Sequence, residues 1–400
     1  MNGPDGPADS LHASRIYLDN NATTRPFPEV VEAMSEHFGD SYGNPGSRHA
    51  EGRFARQALE DARESIASIL GAAPSEICFT SGGTESTNLA LFGLSQTAPG
   101  TIALTAGEHP ATTESCLQLE QRGWKRHLLT VDSEGRLVAD QYDRLPWDTL
   151  KLVTVILAHN ETGVVQDVGP LAEQCRKRGV PFHLDAVQAV GKLPVDFHAL
   201  GVTSMSIGAH KFHGPRGIGA LLLREGVELA PYEFGGHQES GRRPGTESVA
   251  LIVGMARALE IWNAERDERT EKTTRLRDRL EQGLTESCAP AVINGSRRYR
   301  LPNTLNIAFP GLDGDALLVA FDLEGIACSL GSTCASGSAE PPPSLLAMGC
   351  GPEVYGSSVR FSLSTENTSE EIDTAVRRIS AVVGRLRRDT DSAVRQALST

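Results

Sequence analysis

Six lysines stand in this chain: Lys125, Lys151, Lys177, Lys192, Lys211 and Lys272. Five of them lie in polar or charged surroundings or follow a turn, which predicts solvated side chains. Lys211 differs. It comes just after an apolar run, residues 204–207, and stands between His210 and His213. Burial at a strand end disfavours the charged ammonium and leaves a neutral amine, the form that attacks a carbonyl carbon. A lysine there can equally lay its stem on apolar surface and keep its head in water. Its company decides between the two.

Four other apolar runs end in the same manner. Run 77–80 leads into Ser81-Gly82-Gly83-Thr84-Glu85, which opens a helical pattern, and run 101–105 leads to Glu108-His109. Run 152–158 leads to His159-Asn160-Glu161-Thr162-Gly163, and run 180–184 to Asp185 and Gln188. In an open α/β sheet, ligands bind beyond the C-terminal ends of the strands. Five successive strand ends carrying chemically capable residues therefore read as one site.

Each piece also has a plainer use. Gly82, Gly83 and Thr84 before a helix can cradle a phosphate on free N–H groups, or can simply be a capped turn. The dinucleotide fingerprint and the Walker lysine are both missing, which argues against a nucleotide site. Asp185 can keep a pyridine nitrogen protonated and so make a ring an electron sink, or can cap a helix. His109 can stack on a ring or move a proton, or can be an ordinary loop histidine. Cys334 sits in Gly331-Ser332-Thr333-Cys334-Ala335-Ser336-Gly337-Ser338, with no apolar neighbour to bury it. That suits a reactive thiol, whereas most free cysteines are inert core residues. Cys328, beside Ile326 and Ala327, is expected to be buried.

The elements that would position these residues follow from the patterning. Run 218–223 is a sixth strand, and helical patterns cover 86–94 and 169–178. Strands alternating with helices predict an α/β domain with a mostly parallel sheet. The texture changes further on. Residues 251–284 form one long, charged amphipathic helix. Strands follow at 304–309 and 359–363, around a Gly/Ser/Pro-rich stretch at 329–343, and the last ~30 residues are periodic as a helix. A chain of 400 residues exceeds one ordinary core. The division expected is a large domain over 20–262, with 1–19 and 263–400 forming a smaller α+β domain that carries the Cys334 loop.

Composition narrows the class. The net charge of −13 gives no basic footprint for nucleic acid. Seven scattered cysteines without a C-x-x-C pair suit reduced thiols rather than a disulfide framework or a zinc site. The polar start has no signal core, and no apolar run approaches the roughly 20 residues that span a bilayer. A cytoplasmic enzyme, without membrane, nucleic acid or metal, is the expectation.

The motifs together resemble the class V aminotransferase family of fold-type I pyridoxal-phosphate enzymes, and within it the cysteine desulfurases that serve iron–sulfur cluster assembly. Tyr17-Leu18-Asp19-Asn20-Asn21-Ala22-Thr23-Thr24 looks like the family's opening strand. Gly43-Asn44-Pro45-Gly46-Ser47 with His49, and Gly214-Pro215-Arg216-Gly217-Ile218-Gly219, follow its pattern, as do the segments 79–88, 160–167, 183–191, 241–246 and 360–363. The resemblance runs from about residue 17 to residue 372. It implies that Lys211 is the attachment point for the aldehyde of pyridoxal 5′-phosphate. Asp185 would pair with the pyridine nitrogen and His109 would stack on the ring. Asn160 and Gln188 would contact the ring substituents, and Gly83, Thr84 and His210 would hold the phosphate. Thr246 would hold it from the partner subunit of a homodimer. Arg360 would grip the substrate carboxylate together with Asn160, and Cys334 would be the nucleophile that takes sulfur from L-cysteine and passes it to an acceptor protein. A selenocysteine lyase or another class V aminotransferase is the alternative on the same scaffold. Gly208 departs from the pattern, because the family has a phosphate-binding hydroxyl there.

Overall fold

The computed structural model describes residues 15–330 and 341–398, so Cys334 lies outside the described residues. The strands are β1 (Ile16–Tyr17), β2 (Ile77–Thr80), β3 (Thr101–Thr105), β4 (Lys125–Leu129), β5 (Leu150–Ile156), β6 (Phe182–Asp185), β7 (Ser204–Gly208), β8 (Gly219–Leu223), β9 (Val292–Ile293), β10 (Thr304–Ala308), β11 (Ile326–Ala327) and β12 (Ser358–Ser362). Seven of them form one sheet in the order β2-β8-β7-β6-β5-β3-β4. Only β8 runs against its neighbours. The 209–218 connection between β7 and β8 is too short for the crossover of about a dozen residues that parallel neighbours need. β5 is buried throughout except at Lys151, the near-continuous apolar run of a strand covered on both faces.

The expected strands appear with ends displaced by one or two residues. One strand is not visible as an apolar run. β4, Lys-Arg-His-Leu-Leu, is an edge strand paired only with β3 and is largely exposed, so backbone pairing rather than burial holds it. The helix expected over 86–94 starts earlier, at Gly83, and the helix Gly169–Arg178 has the expected bounds. The stretch resembling an opening strand pairs only at Ile16 and Tyr17 with β11; Asp19 adds an isolated bridge to Ser362, and a turn follows.

A second core lies between β12-β10-β9 and the helices Gly314–Leu323 and Ser369–Leu398. The last helix buries Ile372, Ala375, Ile379, Val382 and Val383 along one stripe. The helix Val249–Ser287 serves both cores. Residues up to Trp262 pack in the first core, against the helices Pro28–Phe38 and Ala50–Ile69, whereas Leu276, Leu280 and Leu284 pack in the second core. Between them, Glu265 leaves helical backbone values at φ −120° and ψ 15°. The C-terminal ends of β2, β3, β5, β6 and β7 open on one edge of the large sheet, and β12 faces that edge.

Candidate active site

A cavity of about 650 Å³ lies at that edge, within the range usual for small-molecule sites. Thr84, His109, Asn160, Asp185 and Lys211 line it from the large sheet, and Arg360 from β12.

Lys211 ends a short 3₁₀ turn, Ala209–Lys211, directly after β7. Its Nζ donates to the backbone carbonyls of Asn21 at 2.7 Å and Ala22 at 2.8 Å. Burial, and then the Arg360 charge, bring its pKa down to about 8. A useful fraction of neutral amine therefore exists near neutral pH. His210, held by Thr23 Oγ1 at 3.2 Å, is pushed down to about 4, first by burial and then by Lys211, and stays neutral.

Asp185 ends β6 and is only 4% exposed. Its Oδ1 accepts the N–H of Val187 at 3.0 Å. Burial raises its pKa, against the pull of His109 and Lys211. A buried carboxyl without a salt-bridge partner among the described residues gains by meeting a protonated ring nitrogen. His109 caps the helix Pro110–Glu120, its Nδ1 accepting the N–H of Ala111 at 3.1 Å. Burial lowers its pKa, so the ring is neutral. With Nδ1 committed as an acceptor, the proton sits on Nε2. His109 thus offers a donor, and taking a proton from a substrate thiol would require release of the Ala111 bond.

The first turn of the helix Gly83–Leu94 has no side-chain cap at Gly82, so its N–H groups are available to an anion. Two glycines border that end. A Cβ on Gly83 would lie 2.5 Å from Val187 Cγ2, whereas one on Gly208 would lie 3.5 Å from Gly83 N in ordinary contact. The hydroxyl that Gly208 lacks would therefore have been aimed at this helix end, and the bare N–H groups remain to serve a phosphate.

Arg360, in the middle of β12, donates from NH1 to Asn160 O at 3.1 Å and from NH2 to Asp19 Oδ1 at 2.7 Å. Its buried Nε has no partner among the described residues. A planar fork with an unused donor suits an incoming carboxylate. Thr246 is exposed and does not line this cavity.

Two residues carry more of the site than their sequence context suggests. Asn21, 1% exposed, accepts on its carbonyl from Lys211 and Gln188, and its side chain bonds Asn160 O and Thr304 Oγ1. Lys192, expected to be solvated, is 8% exposed and bonded to Asn21 and Gln188. It lies in the turn that follows β6, Gly191-Lys192-Leu193-Pro194, and is buried there. His159 also acts at a distance, joining the ends of β5 and β3 through Nε2 and Gly107 O at 2.8 Å. Cys328 is half-buried rather than fully buried, and burial still pushes its thiol far above the usual range.

The aminotransferase class-V family model matches residues 16–375. The chain belongs to this family. A cysteine desulfurase of Nostoc sp. is 44% identical over 376 residues, covering 94% of each chain. A solved NifS-like protein superposes with a TM-score of 0.87 at 37% identity, covering 93% of this chain and all of the other. Another, SspA in complex with cysteine, gives a TM-score of 0.76 at 32% identity, covering 88% of this chain and 99% of the other. Family members are pyridoxal-phosphate enzymes of fold type I, and the architecture here is theirs. The cavity fits that cofactor on its own terms: an amine with a lowered pKa, a buried carboxyl and an open helix N-terminus all face one space.

Proposed function

We propose that this protein is a cysteine desulfurase, taking the sulfur of L-cysteine onto Cys334 and releasing L-alanine. The observation that carries this reading is the convergence of Lys211, Asp185 and the uncapped Gly83 helix end opposite Arg360, in a chain whose relatives bear that name.

Pyridoxal phosphate, when bound, supplies a ring that withdraws electrons from the amino acid's carbon skeleton. The N–H groups after Gly82, with Thr84 and His210, hold its phosphate. Asp185 holds a proton at the ring nitrogen, where burial makes the unpaired charge costly and the paired one favourable. His109 covers the ring and donates from Nε2, and Gln188 and Asn160 meet its substituents. Arg360 releases one contact to Asp19 or uses its spare Nε to bind the substrate carboxylate, with Asn160 beside it. Lys211, its pKa lowered to about 8, is the base that removes the α-proton and returns a proton to carbon.

The Cys334 thiolate attacks the substrate sulfur. The new bond is S–S on Cys334, and the bond broken is Cβ–S. Its electron pair stays with the substrate carbon, which takes up a proton and leaves as the methyl group of alanine. L-Cysteine and one enzyme thiol thus give alanine and one persulfide, with no outside oxidant. An acceptor protein, in iron–sulfur cluster assembly or another thio-cofactor pathway, takes the sulfur. The working form is a cytoplasmic homodimer in which Thr246 of one subunit reaches the phosphate of the other, consistent with its exposure within one chain.

Mass spectrometry after incubation with cysteine should find one added sulfur on the Cys334 peptide, and Cys334→Ser should lose alanine release while retaining cofactor colour. Normal turnover by Cys334→Ser would refute the sulfur-transfer step.

A further inference from the structure

Lys192 is a buried amine without an anion: burial and the positive charges of Lys211 and Arg360 hold its pKa well below the usual lysine range. No carboxylate lies within ion-pair distance of it among the described residues, and its charged neighbours are Lys211 and Arg360. Both of its partners are amide oxygens: Gln188 Oε1 at 2.5 Å and Asn21 Oδ1 at 2.9 Å. Sealing an amine away from water carries a desolvation cost. A methionine of similar volume would fill the same space without that cost. Fold stability alone gives no reason for an amine here.

Direction supplies one. Lys192 Nζ donates in both contacts, so the carboxamide of Gln188 turns its oxygen towards Lys192. Its Nε2 then points the other way, where one N–H goes to Asn21 O at 2.9 Å and the second is left at the cavity, which Gln188 lines. Lys192 grips Asn21 in the same way. With Asn21 Oδ1 shared between Lys192 and Asn303 Nδ2 at 3.0 Å, its own Nδ2 is turned to Asn160 O and Thr304 Oγ1. The carbonyl of Asn21 is also where Lys211 rests. One side chain thus orders two carboxamides at the floor of the site.

We propose that Lys192 is a positioning residue that holds Gln188 as a hydrogen-bond donor towards the bound cofactor ring. This rests on the cavity holding pyridoxal phosphate. Removal of Lys192 leaves Gln188 Oε1 buried without a donor, and the carboxamide loses its single orientation.

The test is a double-mutant cycle of Lys192→Met and Gln188→Ala on the full-length protein. The readouts are the Kd for pyridoxal phosphate, the pH midpoint of the bound chromophore, and the thermal midpoint of the unloaded protein. Lys192→Met should weaken binding about three- to tenfold, the worth of one neutral hydrogen bond, and should raise the chromophore midpoint because a donor to the ring is lost. In the Gln188→Ala background the same substitution should change Kd less than about twofold. Equal weakening in both backgrounds, or a changed thermal midpoint with Kd and chromophore unmoved, overturns the proposal. Lys192→Gln keeps an N–H for Gln188 Oε1 and should restore the chromophore midpoint; a midpoint as displaced as that of the methionine variant also overturns it. Failure of the unaltered protein to take up pyridoxal phosphate would instead refute the reading beneath it.

Discussion

The two walls of the cavity are built on different plans. On the large-sheet wall, each polar residue follows its own strand, and His109 and Asp185 are aimed by bonds within a few residues, to the Ala111 and Val187 N–H groups, while Lys211 and His210 rest on the Asn21–Thr23 turn. On the β12 wall, Arg360 is aimed by partners far away in the chain, Asp19 and Asn160. The first wall is set by the strand ends and the short turns that follow them. The second is as well placed as the packing of one core against the other. The first suits a resident cofactor, and the second suits a substrate that comes and goes.

The sharpest way to break this contrast is at Lys211. Lys211→Ala should lower alanine production from cysteine by at least about a thousandfold, since nothing else beside the ring offers a neutral amine. Pyridoxal phosphate should still bind, reversibly, through the remaining large-sheet residues, and equilibrium dialysis would show it. On the other wall, Arg360→Ala should cut kcat/KM for cysteine by about 10- to 150-fold, the worth of a charge-assisted contact. Its Kd for pyridoxal phosphate should change only a few-fold. Equal losses in cofactor and substrate binding would mean that the walls are not separable.

The lowered pKa of Lys211 has its own signature. Only the neutral amine captures the cofactor aldehyde, and with a pKa of about 8 roughly a tenth of it is neutral at pH 7. Mixing unloaded protein with pyridoxal phosphate from pH 6 to 10 should give a capture rate that climbs about tenfold per unit and levels off above about pH 8. A rate still climbing at pH 10 would place the lysine in solvent.

Glu108 sharpens the picture of the large-sheet wall. Burial raises its pKa to about 8, and its Oε1 accepts from Thr105 Oγ1 at 2.6 Å and Ile156 N at 3.1 Å. Between its ordinary value and about 8, the folded protein holds a proton that the unfolded chain has lost. Stability therefore falls as pH rises through that window. Glu108→Gln has no proton to lose. It should raise the thermal midpoint by several degrees at pH 8 and leave it unchanged near pH 4.5, as calorimetry would show. The smallest effect is expected at Gly208. Its extended backbone, φ −142° and ψ 121°, admits a side chain, and a Cβ there meets only ordinary contacts. Gly208→Ser should tighten pyridoxal-phosphate binding by about three- to tenfold, one neutral hydrogen bond's worth. Weaker binding would show that the cradle is already full.

The sequence by itself determined the alternation of strands and helices and the polar residue closing each buried strand. Both are local: a run of apolar residues and the few that follow it. Lys211, His109, Asp185 and Asn160 were legible for that reason. The exposed edge strand β4 was not, because backbone pairing holds it and no apolar pattern marks it. Lys192 and Asn21 were not legible as site residues either, because the bonds that define them span long stretches of chain, 171 residues from Asn21 to Lys192 and 190 from Asn21 to Lys211. Only the tertiary structure decided which lysine is solvated and which is sealed beneath the cofactor site. Burial is a property of what folds over a residue, and of the two groups bonded to Lys192 Nζ, Gln188 is four residues away whereas Asn21 is 171 residues away.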